Sequence, residues 1–176
     1  MTGEHSRAAA VRYWWDKAHE SLQAAQRELA AHAYTFAINR AYYALFYAVS
    51  AVLLEEGRRF SKHSGVRAAF NRDLIKPGRL SRKHGELYNQ LFRDRQEGDY
   101  IEFTAFDAPY VQEKIMACEE FLAALRPLLT SLPHEPEGRK YKTAFSPRRC
   151  HHPPPPAAAA CCSGARLGVA RSGHTA

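Results

Sequence analysis

Nearly every residue from Ala41 to Leu54 is apolar or aromatic, inside the longer stretch YTFAINRAYYALFYAVSAVLLEEG from Tyr34 to Gly57. A helix that is apolar all round has to sit in the middle of a bundle, with neighbours on several sides. The Ala41–Leu54 run falls short of the roughly 20 apolar residues a bilayer demands, so a core helix is expected and no membrane span. Glu55-Glu56-Gly57 closes it, with Gly57 placed for a left-handed backbone at C′. Asn39 and Arg40 enter just before the most apolar part. An arginine does not go inside unpaired, so Arg40 either caps the wet end of the helix or meets an acid or anion in a cleft.

Four amphipathic stretches surround this one. Val11, Trp14, Trp15, Ala18, Leu22, Ala25 and Leu29 recur at steps of three and four, which predicts a helix over 7–31. Ser61 or Ser64 can cap a third helix over 64–76, which Pro77-Gly78 ends. Ser81 caps a fourth over 81–98, and Asp107, followed by Pro109 in the first turn, caps a fifth over 107–130. Trp14, Leu22, Leu45, Phe46, Val49, Phe70, Leu87, Leu91, Ile115 and Leu122 are expected inside. No strand-like alternation occurs, so the fold class is all-α: an antiparallel bundle of about five helices over 7–130. After Leu132 the text turns to runs such as Pro153–Pro156 and Ala157–Ala160, which cannot build a core; 133–176 is expected to be a disordered tail.

The net charge of +7 misleads about the bundle. Residues 1–130 hold 18 basic and 16 acidic side chains, whereas 131–176 hold 7 and 2. Within the bundle charge is segregated. Residues 58–95 carry 11 Lys and Arg against three acids, and 96–130 carry two against seven. A block this lopsided suits an RNA backbone or an acidic partner protein. Cys118 reads as a small core residue, and the other three cysteines form no disulfide or metal framework. No basic region followed by an apolar run opens the chain, and a cytoplasmic location is expected.

The stretch from Leu91 to Tyr100, LFRDRQEGDY, is densest in usable chemistry. Arg95 and Asp99 are one helical turn apart. An arginine fork matches phosphate geometry and can hold the charge of a phosphorane; Tyr100 can carry a proton only with help, its ordinary pKa being near 10. The alternative is an Arg95–Asp99 pair that locks a helix end. His63 is the candidate proton carrier at neutral pH, the alternative being a helix cap or surface residue after the break. Arg40, Asn39 and Arg93 are candidate phosphate contacts. No cofactor and no metal site is read: no Glu stands three residues before any His, as a di-iron bundle would need.

In order, the stretches AINRAYYALFYAVSAVLLEEG, KHSGVRAAFNRDLIKPGRL and LFRDRQEGDYIEF, followed by a last amphipathic helix, resemble HEPN-domain proteins. The likeness is to a prokaryotic subgroup with an R-x-x-x-D-Y signature and covers Tyr13 to Leu129. It implies a helical bundle that forms a homodimer, a small nucleotidyltransferase as partner in a toxin–antitoxin module, and metal-independent cleavage of RNA by an R-x(4–6)-H motif in the dimer cleft. Here Arg95 matches the Arg, but Tyr100 stands where that motif has His. His63 would replace that proton carrier if it folds into the same cleft, and by the same resemblance Tyr100 is a candidate for modification by the partner. The competing expectation is a non-catalytic module that binds nucleotide, RNA or a partner.

Overall fold

A computed structural model describes residues 2–100 and 106–132. Five α-helices follow in order: α1 (Thr2–Ala30), α2 (Tyr34–Glu55), α3 (His63–Phe70), α4 (Arg82–Tyr100) and α5 (Ala108–Leu125). No strand occurs among the described residues. The expected disordered tail lies outside them.

α2 is the axis. It touches α1, α3, α4 and α5, and twelve of its residues, from Ala37 to Leu54, are buried. By length and composition alone α2 could cross a membrane, contrary to the expectation from its shorter apolar core. In this fold 67% of its apolar window is buried against protein, which accounts for that composition without a bilayer. Small residues at Ala37, Ala41, Ala44, Ala48 and Ala51, each fully buried, let the neighbouring helices approach closely.

Both ends of the α1–α2 hairpin close by the same device. Past α2, Gly57 adopts φ of 75°, Gly57 N–H bonds Leu54 O and Arg58 N–H bonds Leu53 O, which is the Schellman pairing. Past α1, His32 takes the left-handed position at φ 59°, with His32 N–H on Leu29 O and Ala33 N–H on Glu28 O. Asp107 caps α5 by accepting the Tyr110 N–H at 2.9 Å, as its position predicts.

Three local expectations need correction. Lys62, not Ser61 or Ser64, occupies the N-cap of α3 in an extended conformation. Ser81 turns its hydroxyl to Nδ1 of His84, 3.0 Å away, while its carbonyl accepts the His84 N–H. The third helix does not run on to 76 in one form: it widens into a π-turn over Asn71–Ile75. There Asn71 Nδ2 donates to Arg67 O and Lys76 N–H reaches back to Asn71 O. The start of α4 packs on that turn through Gly85, where a Cβ would meet Ile75 Cγ1 at 3.3 Å.

The core matches most of the predicted side chains. Trp14, Phe46 and Leu87 are half-buried instead. Of the two adjacent tryptophans, Trp15 enters the core at 6% exposure, while Trp14 lies against Tyr47 with ring centroids 5.4 Å apart. Neighbours on a helix point about 100° apart, so only one of the pair can face the axis. Leu87 lines a groove between α4 and α5, and Phe46 covers a histidine.

Candidate functional site around Arg95 and His63

Three helices contribute to a single aromatic cluster. α2 supplies the floor: Tyr42, fully buried, and Tyr43 and Phe46, half-buried. Phe46 stands four residues after Tyr42 and three after Tyr43, which makes its ring a neighbour of both on the helix surface. α3 begins with His63, whose ring lies parallel to Phe46 at a centroid distance of 4.0 Å and an interplanar angle of 10°. Its Nδ1 is 2.9 Å from the Tyr42 hydroxyl. α4 brings Arg95, whose guanidinium carbon sits 5.4 Å from the Tyr42 ring and 5.2 Å from the Tyr43 ring, a cation–π arrangement. A second guanidinium, Arg67 of α3, covers Phe92 of α4 at 4.0 Å.

The electrostatics follow from this packing. Burial, and then the positive charge of Arg95, hold the His63 pKa below its ordinary value, so the ring is neutral at pH 7. Burial pushes the Tyr42 phenol up to about 12, against the opposing pull of Arg95, so it stays protonated. The arrangement thus couples a permanent forked cation to a neutral imidazole. Such a pair can hold a phosphate and move a proton beside it.

A buried carboxylate stands next to Arg95 in α4. Asp94, at 2% exposure, accepts 2.6 Å hydrogen bonds from Tyr110 Oη of α5 and from Gln90 Nε2. Asp94 falls three residues after Leu91 and seven after Leu87, on the inner stripe of α4, where a carboxylate in an apolar register is the signal of a buried polar contact.

The remaining candidates distribute as follows. α4 continues through Tyr100, which keeps Asp99 one turn beyond Arg95 on the same helix; the side chains of Asp99 and Tyr100 lie outside the described residues. Asn39 is half-buried one turn before Tyr42 and Tyr43. Arg40 is exposed and lines a different cleft of about 370 Å³ between α1 and α2, with Lys17, Arg27 and Tyr47. Arg93 projects into the α4–α5 groove, where it donates to Gln90 Oε1 at 2.5 Å. Two positions on a helix differ by about 200°, which parts Arg93 from Arg95.

Among the described residues, five of the eleven cations in the basic 58–95 block lie in ion pairs. Arg58 and Arg72 share Asp73, whose carboxyl hydrogen bonds from Arg72 and then Arg58 hold at about 2. Arg79 pairs with Glu56, Arg82 with Glu86 and Lys83 with Glu120. Among the described residues no three His, Cys, Asp or Glu side chains gather as a metal set.

The fold and this site define a class: a small helical bundle that sets an Arg and a His from different helices over a shared aromatic floor. The chain belongs to the HEPN domain family, whose model matches residues 11–128. It is 44% identical over 122 residues to a UPF0332 protein of Thermotoga maritima, covering 69% of this chain and 92% of that one. Two proteins of Methanocaldococcus jannaschii are also similar. "Putative toxin MJ0142" is 36% identical, over 56% of this chain and 69% of the relative. "Putative toxin MJ0605" is 31% identical, over 47% and 62%.

Proposed function

We propose that this chain is the toxin component of a cytoplasmic toxin–antitoxin pair and cleaves RNA without a metal, as a homodimer, with a small nucleotidyltransferase as its partner. Arg95 would hold the scissile phosphate and stabilise the charge it gains. His63 would take the proton of the ribose 2′-hydroxyl as that oxygen attacks phosphorus, with the 5′-oxygen leaving and drawing a proton from water. The carrying observation is that His63 of α3 and Arg95 share one aromatic cluster, which supports His63 as the proton carrier that the Arg95–Tyr100 motif lacks. The similarity to two proteins named as toxins supports the toxin part of the reading. Tyr100, where the family motif has His, is the candidate acceptor for a silencing modification by the partner.

The test is incubation of the purified chain with single-stranded RNA in excess chelator. Cleavage by the wild type is expected, with Arg95→Ala losing about 100- to 1000-fold while remaining folded. The presence of Tyr100 at the motif position favours the second reading, a non-catalytic module that binds its partner or a nucleotide. Intact RNA together with tight binding of the nucleotidyltransferase would establish that reading instead. Sedimentation at micromolar concentration reports the dimer.

A further inference from the structure

We infer that Tyr42 is the positioning residue of this site: its hydroxyl oxygen accepts Nδ1–H of His63 and so leaves Nε2 as the nitrogen that takes the substrate's proton. The inference rests on the ribonuclease reading for its role in cleavage, but the tautomer it assigns stands or falls independently.

The geometry leaves little choice of nitrogen. Among the described residues Nδ1 is the ring nitrogen with a hydrogen-bond partner, 2.9 Å from Tyr42 Oη. Phe46 stacks on one face of the ring, and Tyr43 meets it edge-on at 5.8 Å. A base working through Nε2 becomes an imidazolium with both nitrogens protonated. Its Nδ1–H then points into this aromatic pocket, where an unmatched donor is costly. Tyr42 Oη is the acceptor in place. A hydroxyl can accept there and rotate its own hydrogen away, which a phenylalanine cannot do. The ionisable groups gathered round the ring are Tyr42 and Tyr43 of α2 and Arg95 of α4, with Tyr88 of α4 stacked behind Tyr42 and Arg67 of α3 set over Phe92. None of these carries a negative charge at neutral pH, so the phenolic oxygen is the group in this set that can favour the imidazolium.

The opposite proton arrangement, with Tyr42 O–H donating to an unprotonated Nδ1, predicts the opposite response to one substitution. Losing an acceptor destabilises the imidazolium and lowers the His63 pKa; losing a donor destabilises the neutral ring and raises it. The experiment is ¹H–¹⁵N spectroscopy of the imidazole nitrogens in the full chain, with the His63 signals identified by their loss in His63→Gln. The expected wild-type ring is the Nδ1–H tautomer. In Tyr42→Phe the His63 pKa is expected to fall by about one unit. The acid limb of the RNA-cleavage pH profile should follow it, with kcat lower by about tenfold and KM unchanged. A wild-type Nε2–H tautomer, or a His63 pKa that rises or stays in Tyr42→Phe, overturns the assignment. If Tyr42→Phe does not fold, the wild-type tautomer decides alone. An Nδ1–H tautomer in a protein that leaves RNA intact removes the role in cleavage and points to failure of the ribonuclease reading, with the Tyr42–His63 bond retained.

Discussion

The Tyr110 hydroxyl donates a 2.6 Å hydrogen bond to the buried carboxylate of Asp94, tying α5 to α4 one residue before Arg95. A hydrogen bond to a charged, buried acceptor contributes about 1.5–3 kcal/mol, and removing the donor leaves the carboxylate short of a partner. Tyr110→Phe should therefore cost about 2 kcal/mol in urea unfolding. A change below 0.5 kcal/mol, near the level of an ordinary surface substitution, would show that Gln90 alone satisfies Asp94.

Leu45 lies at 0% exposure in the middle of α2, enclosed by the other helices. Truncation there leaves a cavity that a helix packed on several sides cannot collapse. Leu45→Ala is expected to cost about 2–5 kcal/mol in equilibrium denaturation, with helical content retained below the transition.

His32 is the non-glycine residue with positive φ among those described, at 59°. A side chain in the left-handed region costs about 1–2 kcal/mol, offset in part by the exposed 2.9 Å contact between His32 Nδ1 and Tyr34 Oη. His32→Gly should raise stability by about 0.5–1 kcal/mol. A lower melting temperature would mean that the Tyr34 contact outweighs the strain.

His63 and His84 both have pKa values lowered by burial first, with Arg95 adding to the effect on His63 and Lys83 to that on His84. A histidine depressed in the folded state binds fewer protons there than in the unfolded chain, so its contribution is full above the unfolded pKa near 6.5 and declines as pH falls through the folded value. Melting temperature should accordingly drop on acidification from about pH 6.5 to 5. The double variant His63→Gln, His84→Gln should flatten that slope. A slope equal to the wild type's would assign the acid sensitivity to other groups.

Much of this molecule is local and therefore legible in the chain. The 3.6-residue stripes of α1 and α5, the uniformly apolar α2, Gly57 at its end and Asp107 before α5 each act through neighbours a few residues away. Periodicity left one ambiguity, the pair Trp14 and Trp15, because both flank the stripe; only the position of α2 decides which ring is covered. The π-turn at Asn71–Ile75 has a similar origin: it lets Ile75 and Asn71 meet Gly85 across the next loop, a contact no local propensity encodes.

The composition of the site was visible, but its assembly was not. Arg95 stood out as a forked cation at the end of a helix, and His63 as a titratable ring after a break. Their meeting over Tyr42 depends on where α3 and α4 settle against α2, and that is set by non-local packing. The same packing sends Arg40 and Arg93 to separate clefts, pairs Arg58, Arg72, Arg79, Arg82 and Lys83 with acids, and buries Asp94. The sequence by itself determined the helices and the axis among them, because helix periodicity and end signals are short-range. Tertiary structure decided which charges face one another, because burial and proximity are properties of the folded bundle as a whole.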